Sequence, residues 1–394
     1  MRILSLIDSM GRGGAEQVLV RLVTGLPEHA HGVIHCSRVN GVPVHGPFIR
    51  ALRGAGASVA DIDWRSYADA TLRRVAMGGQ EPDVVICHWW GGTPWSAWMQ
   101  QVMAARPGAG RPWFVCVLHA TGRPAPSGFD RYVVLARAHA RQVPPGGRLE
   151  VIPNGVDRVV FRPARRIRRR SGSASGMAPG LRVGRLARLD PGKTPDDLVR
   201  VIDGWGVPGA RWLLAGDGTL RPALEAQARA LAGSTAVDVL GAIPRHRVAP
   251  WLRSLDVLFH VTGAITDCHP LALLEALSCG VPVVAERRGG VPEIVRHGHD
   301  GLLGDGPDEV GAHLRRVAAD PALLAHLTAG ARADGAHLDL GHQLAAWRVL
   351  LDELRQGDPT PLGHTPLGPA AATGTADAAG LPPVAGTTAM GVAT

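Results

Sequence analysis

The sequence predicts an α/β fold made of two units, each a parallel sheet covered by helices on both faces. Three observations carry that prediction. The chain has 394 residues, more than one hydrophobic core usually serves. Short apolar runs without strict alternation are separated by helix-length amphipathic stretches, the pattern of strands buried on both faces. The pattern breaks off after Phe161 and restarts at Leu181.

The first unit is expected over residues 1–163. Its strands are read at Arg2 to Asp8, Gly32 to Cys36, Ser58 to Ile62, Val84 to Cys87, Trp113 to Leu118, Tyr132 to Leu135 and Glu150 to Pro153, with helical stretches such as Ala15 to Thr24 and Pro94 to Met103. Residues 164–180, basic and then rich in Gly, Ser and Ala, read as a linker. The second unit, residues 181–356, repeats the scheme with strands at Leu181 to Gly184, Trp212 to Ala215, Val237 to Leu240, Val257 to His260 and Val281 to Ala285. Residues 357–394 are rich in Pro, Ala, Gly and Thr and hold too little bulky apolar material to fold, so a disordered tail is expected.

Composition narrows the class of protein. No apolar run approaches the ~20 residues that span a bilayer, and Asp8 interrupts the short apolar start, which reads as a strand and not as a leader. The five cysteines are scattered without C-x-x-C pairing, which suggests neither a disulfide framework nor a zinc site and fits a reducing cytoplasm. The net charge of +8 favours an anionic partner. Arginine supplies every basic side chain but one, which singles out the sole lysine, Lys193.

Two segments carry candidate chemistry. In V-G-R-L-A-R-L-D-P-G-K-T-P-D-D-L, Arg185 follows a buried strand and Lys193 precedes a helix, with Thr194 as N-cap, Pro195 at the first helical position and Asp197 completing a capping-box pattern. Two cations at the C-terminal edge of a parallel sheet suit a diphosphate. The G-K-T triplet does not complete a Walker A loop, because Ala187 stands where that loop needs glycine and Pro195 follows directly.

In T-D-C-H-P-L-A-L-L-E-A-L-S-C-G, Pro270 opens a helix that Gly280 stops, leaving the amides of Leu271 and Ala272 to face a phosphate or a sugar hydroxyl. Asp267 lies before this helix and Glu275 within it, separated by seven residues. Read alone, both carboxylates are as readily capping or salt-bridge residues as ligands.

Taken together, these segments resemble glycosyltransferase family 4, the retaining group 1 transferases of GT-B fold. Asp267 and Glu275 take the two positions of that family's E-x7-E signature, the first as a departure from the usual glutamate. Arg185 and Lys193 match its R…K pair. GRGGAEQVL from Gly11, VIPNGVDRVVF from Val151, LLAGDGTLRPAL from Leu213, VDVLGAIP from Val237 and GGVPEIV from Gly289 follow in family order. The resemblance implies two Rossmann-like domains with parallel sheets facing across a cleft, the first binding the acceptor and the second the nucleotide-sugar.

It also implies roles. Arg185 and Lys193 would neutralise the leaving diphosphate, and Glu275 would bind the donor ribose. Asp267, with His269, Pro270, Leu271 and Ala272, would hold the transferred sugar and its phosphate. Gly13 and Gly14 would let backbone approach the donor, and His119, ending the strand WFVCVL, would stand beside the reacting sugar. The implied reaction retains anomeric configuration and uses no metal and no cofactor, with a nucleotide-diphosphate-sugar, a UDP-sugar first, as co-substrate. The acceptor would be a glycan, a lipid-linked glycan or a small molecule, in bacterial polysaccharide or glycolipid synthesis, in the cytoplasm or at the inner face of the membrane.

Further features are weaker. His88 with Trp89, Trp90, Trp95 and Trp98 reads as core packing more readily than as a sugar platform. Asp61 to Asp63 imitates a metal-binding D-x-D but ends a strand in the wrong domain plan. The arginine run Arg165 to Arg170 reads as a solvated charge run or an attraction to anionic lipid. It keeps open nucleic-acid binding, which the rest of the chain disfavours. Beside the transferase stand a GT-B sugar-nucleotide epimerase or phosphorylase and a non-catalytic sugar-nucleotide binder.

Overall fold

The computed structural model describes residues 1–7, 10–11, 13–35, 46–61, 77, 79–89, 112–119, 124–164, 180–264, 267–333 and 335–357. The arginine run, Trp90, Trp95, Trp98, the Pro94 to Met103 helix, most of the linker and the tail lie outside them. The two sheets belong to one compact unit, Met1–Pro359.

The first sheet holds β1 (Arg2–Ile7), β2 (Ala30–His35), β3 (Ser58–Asp61), β4 (Val84–Trp89), β5 (Trp113–Leu118), β6 (Arg131–Val134) and β7 (Leu149–Val151), in the order β3-β2-β1-β4-β5-β6-β7. The second holds β8 (Arg182–Leu186), β9 (Arg211–Ala215), β10 (Ala236–Gly241), β11 (Val257–His260), β12 (Val283–Glu286) and β13 (Gly301–Gly304), in the order β10-β9-β8-β11-β12-β13. Every pairing between these strands is parallel. The order reverses between β1 and β4 in one sheet and between β8 and β11 in the other. Doubly wound sheets bind ligands at the C-terminal ends of strands at such a switch point.

Strand composition explains this arrangement. Val84 to Trp89 is buried along its whole length, as is Val257 to His260, so neither strand has a wet face and both need helices above and below. β13 has no counterpart among the expected strands. Its sequence, GLLG, is too short and too glycine-rich to read as one, and it forms because β12 offers a paired edge.

Among the described residues the α-helices are α1 (Gly14–Gly25), α2 (Gly46–Gly54), α3 (Leu198–Trp205), α4 (Arg221–Ala230), α5 (Arg245–Leu252), α6 (Leu271–Ser278), α7 (Pro307–Ala319), α8 (Pro321–Ala333) and α9 (Leu340–Gln356). Seven of the eight residues of α6 are buried, the state of a helix apolar on all sides. It ends as expected at Gly280, whose φ of 75° is open to glycine at little cost. Gly280 N–H donates to Leu277 O at 2.8 Å and Val281 N–H to Ala276 O at 2.9 Å, the paired bonds of a Schellman stop.

Two local readings change. Helix α3 starts at Leu198 after Asp197, with no side-chain cap, so Thr194 is not its N-cap. The Thr194 hydroxyl donates to Arg188 O at 2.7 Å and accepts from Arg185 at 3.0 Å, and a buried arginine outbids a helix end for it. The last helix differs from its expected place too. Trp347, Leu350, Leu351 and Leu354 of α9 pack with Ile3, Leu22, Leu26 and Val84 under the first sheet. Arg348 bonds Glu28 at 2.6 Å and Gly25 O at 2.9 Å. Sequence order assigns α9 to the second unit, but its apolar face is buried by the first.

Candidate active site

The segment Ile152 to Val156 connects the two sheets to each other and to α9. Asn154 Nδ2 donates to His269 O at 2.8 Å, and Gly155 N–H donates to Gln343 Oε1 at 2.9 Å. A Cβ on Gly155 would stand 2.5 Å from Leu340 Cα and 2.8 Å from Asp339 O, so only glycine allows this approach. The P-N-G-V run thereby docks the loop before α6 against the first sheet.

Strand β8 and the loop after it bring in the cations. Arg185 is 1% exposed. Its Nη1 donates to Thr194 Oγ1 at 3.0 Å, and its Nη2 to Lys193 O and Val261 O, each at 3.1 Å. Burial lowers its pKa to about 10, against the pull of Asp267 and Glu286. Both guanidinium ends are therefore committed to the loop that carries Lys193 and to the end of β11.

Lys193 Nζ makes a hydrogen-bonded ion pair with Asp267 Oδ1, and His260 Nε2 lies 3.7 Å from Asp267 Oδ2. Burial works to raise the Asp267 carboxyl. The charges of Lys193, His260 and Arg185 outweigh it and hold the group below the usual carboxylate range. His260, at the end of β11, is pushed down to about 4 by burial, with Asp267 acting the other way.

Helix α6 points its N-terminus at the same edge. Pro270 is its N-cap, and the amides of Leu271 and Ala272 fall in the first turn, which has no intrahelical acceptors. From the first half, the first residue of α1 meets this helix start: a Cβ built on Gly14 would lie 3.9 Å from Leu271 Cδ1. Gly13 is the N-cap of α1. His269 is 7% exposed, and burial lowers its pKa to about 3. Its carbonyl is the part that holds the two halves together, through Asn154.

His119 stands just past β5, its N–H donating to Trp89 O at 2.9 Å. Its Nε2 lies 2.8 Å from Nδ1 of His88. Burial first, then His88 and Lys193, push its pKa well below the usual histidine value.

Glu275, 2% exposed, uses Oε1 to accept from Arg21 of α1 at 3.1 Å and from Arg245 of α5 at 2.7 Å. Arg245 also lies over the Phe161 ring, 4.6 Å from its centre, and Arg21 Nη1 donates to Gly155 O. Arg21, Arg245 and His260 carry no signal in the sequence. Arg21 sits on an amphipathic helix like any surface arginine, and only the fold closes it against Glu275.

Comparison with known proteins bears on this geometry. The chain is 33% identical over 226 residues to a D-inositol 3-phosphate glycosyltransferase of Nocardiopsis dassonvillei, covering 53% of this chain and 49% of that protein. It is 34% identical over 223 residues to a D-inositol 3-phosphate glycosyltransferase of Acidothermus cellulolyticus, covering 51% of this chain and 48% of that one. Residues 181–334 match the family described as glycosyl transferases group 1. The chain resembles the group 1 glycosyl transferases over this segment. It spans about half the length of the curated inositol-phosphate transferases it matches.

The likeness in fold reaches further than the family match. The chain superposes on the Anabaena HepE protein, solved in complex with UDP-glucose, with a TM-score of 0.67 at 20% identity, covering 89% of this chain and 100% of the other. For sucrose-phosphate synthase from Thermosynechococcus elongatus the TM-score is 0.70 at 16% identity, covering 91% and 100%. The fold is therefore GT-B-like, with two parallel α/β sheets. No described helix is long and apolar enough to cross a membrane.

Proposed function

We propose that the protein transfers a sugar from a nucleoside diphosphate sugar, a UDP-sugar first, to an acceptor held by the first sheet, with retention at the anomeric carbon. The observation that carries this reading is the meeting of Lys193, Asp267 and the amides opening α6 at one strand edge, opposite Gly14. A diphosphate bound there meets one mobile ammonium and two fixed N–H groups. Lys193 exchanges its pairing with Asp267 for the phosphate, and Asp267 is then left to accept hydrogen bonds from sugar hydroxyls. Arg185 acts through the loop that it braces. Glu275, with Oε1 occupied by two arginines, has Oε2 for a ribose hydroxyl.

In the reaction, the bond from the anomeric carbon to the diphosphate oxygen breaks and a bond to the acceptor oxygen forms on the same face. The acceptor proton passes to the departing phosphate oxygen. Lys193 and the α6 amides stabilise the charge that develops there, an effect on the order of 10²–10³ in rate for each lost donor. The acceptor class is a glycan, a glycolipid or a small polar molecule, in bacterial polysaccharide or glycolipid synthesis. Support for the donor comes from HepE, which was solved with UDP-glucose bound.

The test is a melting-temperature screen with UDP, GDP and ADP and their hexose derivatives, followed by nucleotide release from whichever sugar binds. A ligand at about 100 times its Kd adds ~2.7 kcal/mol of stability. A rise with UDP and UDP-glucose that Lys193→Ala removes is expected. The absence of a shift with every nucleotide sugar would overturn the reading, and isomerised sugar without nucleotide release would point to an epimerase.

A further inference from the structure

Glu286 closes β12 at the C-terminal edge of the second sheet, and no role follows for it from the donor site. The strand before it, Val283 to Ala285, is apolar and buried, and Glu286 itself is 6% exposed. A buried carboxylate needs partners to offset its lost hydration. Oε2 accepts twice from Thr262, from the backbone N–H at 2.9 Å and from the hydroxyl at 3.0 Å. Two residues beyond Glu286, Arg288 Nη1 donates to Gly263 O at 3.0 Å. The exit of β12 thus grips the exit of β11 at two successive residues.

The gripped segment is the one that stands against the Lys193 loop. A Cβ on Gly263 would lie 2.8 Å from Gly192 O and 2.9 Å from Gly192 C, so the two backbones touch with no side chain between them. Gly192 directly precedes Lys193 and has a φ of 82°. Arg185 spans the same gap, donating to Val261 O on one side and to Lys193 O on the other. The charge of Glu286 is among those that oppose the effect of burial on that guanidinium. A shift of Thr262 therefore passes through Gly263 to Gly192 and its neighbour, because backbone packed this closely has no slack to absorb it.

We propose that Glu286 is a positioning residue: its carboxylate holds Thr262, and through the contact of Gly263 with Gly192 it fixes where Lys193 presents its ammonium. The role requires no contact with donor or acceptor. It depends on the reach of the side chain, which places Oε2 at Thr262, more than on its charge. In the sequence, a glutamate after an apolar strand reads only as the start of a wet loop. The consequence for turnover rests on the transferase reading; the placement of Lys193 does not.

The test has a built-in reporter. Lys193 is the only lysine of the chain, so the full-length protein labelled with ¹³C-lysine shows one lysine ε-carbon signal. Two variants separate reach from charge. Glu286→Gln keeps an oxygen at the same distance and removes the charge, while Glu286→Asp keeps the charge and draws the oxygen back by one methylene. E286D should move the Lys193 signal and lower kcat for nucleotide release on the order of tenfold to a hundredfold with little change in donor KM, the scale of a misplaced reacting group. E286Q should keep the parent signal and most of the rate.

An unmoved Lys193 signal in E286D overturns the proposal whether or not any sugar is turned over, and a moved signal with unchanged kcat overturns the positioning role. A moved signal in E286Q beside a parent-like E286D would assign the effect to charge. A raised donor KM with an unmoved signal would make Glu286 a ligand of the donor, and both results overturn positioning. If E286D does not fold, Thr262→Val removes the hydroxyl half of the grip with the carboxylate in place, and an unmoved signal there decides against the proposal. A signal that follows the reach of the side chain, in a protein that releases no nucleotide from any nucleotide sugar, refutes the transferase reading alone.

Discussion

Glu275 and Arg21 lie 254 positions apart in the chain and 3.1 Å apart in space. The bond joins α6 beneath the second sheet to α1 beside the first, and both side chains are less than a tenth exposed. Burial lowers the Arg21 pKa, with Glu275 as the main opposing influence. This carboxylate is thus a structural pin between the two halves.

The two ends of that pin should not cost the same. Arg21→Met leaves Glu275 paired with Arg245 and should cost about 1.5–3 kcal/mol, the worth of a charge-assisted hydrogen bond. Glu275→Ala leaves a buried guanidinium without its carboxylate and should cost about 3–5 kcal/mol. Urea unfolding of the two variants gives the order, and a larger loss for R21M would contradict the description.

Lys193→Ala should reduce turnover on the order of 10²–10³ and leave the melting temperature nearly unchanged, because Asp267 keeps His260 and Arg185 nearby. Arg185→Lys should behave differently. One ammonium cannot reach Thr194, the Lys193 carbonyl and the Val261 carbonyl as a guanidinium fork does, so stability should fall by about 1–3 kcal/mol together with activity. Melting curves beside nucleotide-release rates separate the two cases.

Gly290→Ala tests the support of the acidic loop. A Cβ there would stand 1.7 Å from Cys268 O, a backbone atom next to Asp267. The loop must move, at about 1–3 kcal/mol for a misfitted methyl, and Lys193 loses its partner's placement. A variant with unchanged stability and rate would mean that this contact has no such effect.

Acid should weaken the fold through three histidines. His88 and His269 are pushed down to about 3 and His260 to about 4, each by burial. Their unfolded values lie near 6.5, so between roughly pH 6.5 and 4 the unfolded chain binds more protons and stability falls as pH falls. The slope is about 1.4 kcal/mol per pH unit for each histidine. Asp267, lowered instead, keeps its contribution until the pH falls below the usual carboxylate range. Urea midpoints at pH 7 and pH 5 measure the effect, and equal midpoints would count against neutral burial.

Sequence pattern alone was enough for the parallel α/β architecture, the strands from β1 to β12 to within a few residues, the stop at Gly280 and the family's ordered motifs. These are local or periodic properties: apolar runs that must be buried on both faces, glycine where φ is positive, a proline opening a helix. Pattern also marked Lys193, Asp267, Leu271 and Ala272, because strand ends and helix starts are where a chain of this kind leaves polar groups unpaired. Which polar groups meet depended on the folded chain. Thr194 looked like a helix cap until Arg185 claimed its hydroxyl. Helix α9 looked like part of the second unit, yet Trp347 and its neighbours are covered only under the first sheet. The pairings of Arg21 and Arg245 and the contact of His88 with His119 depend on segments far apart in the chain, and no local pattern encodes a distance of about 3 Å between residues that the chain itself does not hold together.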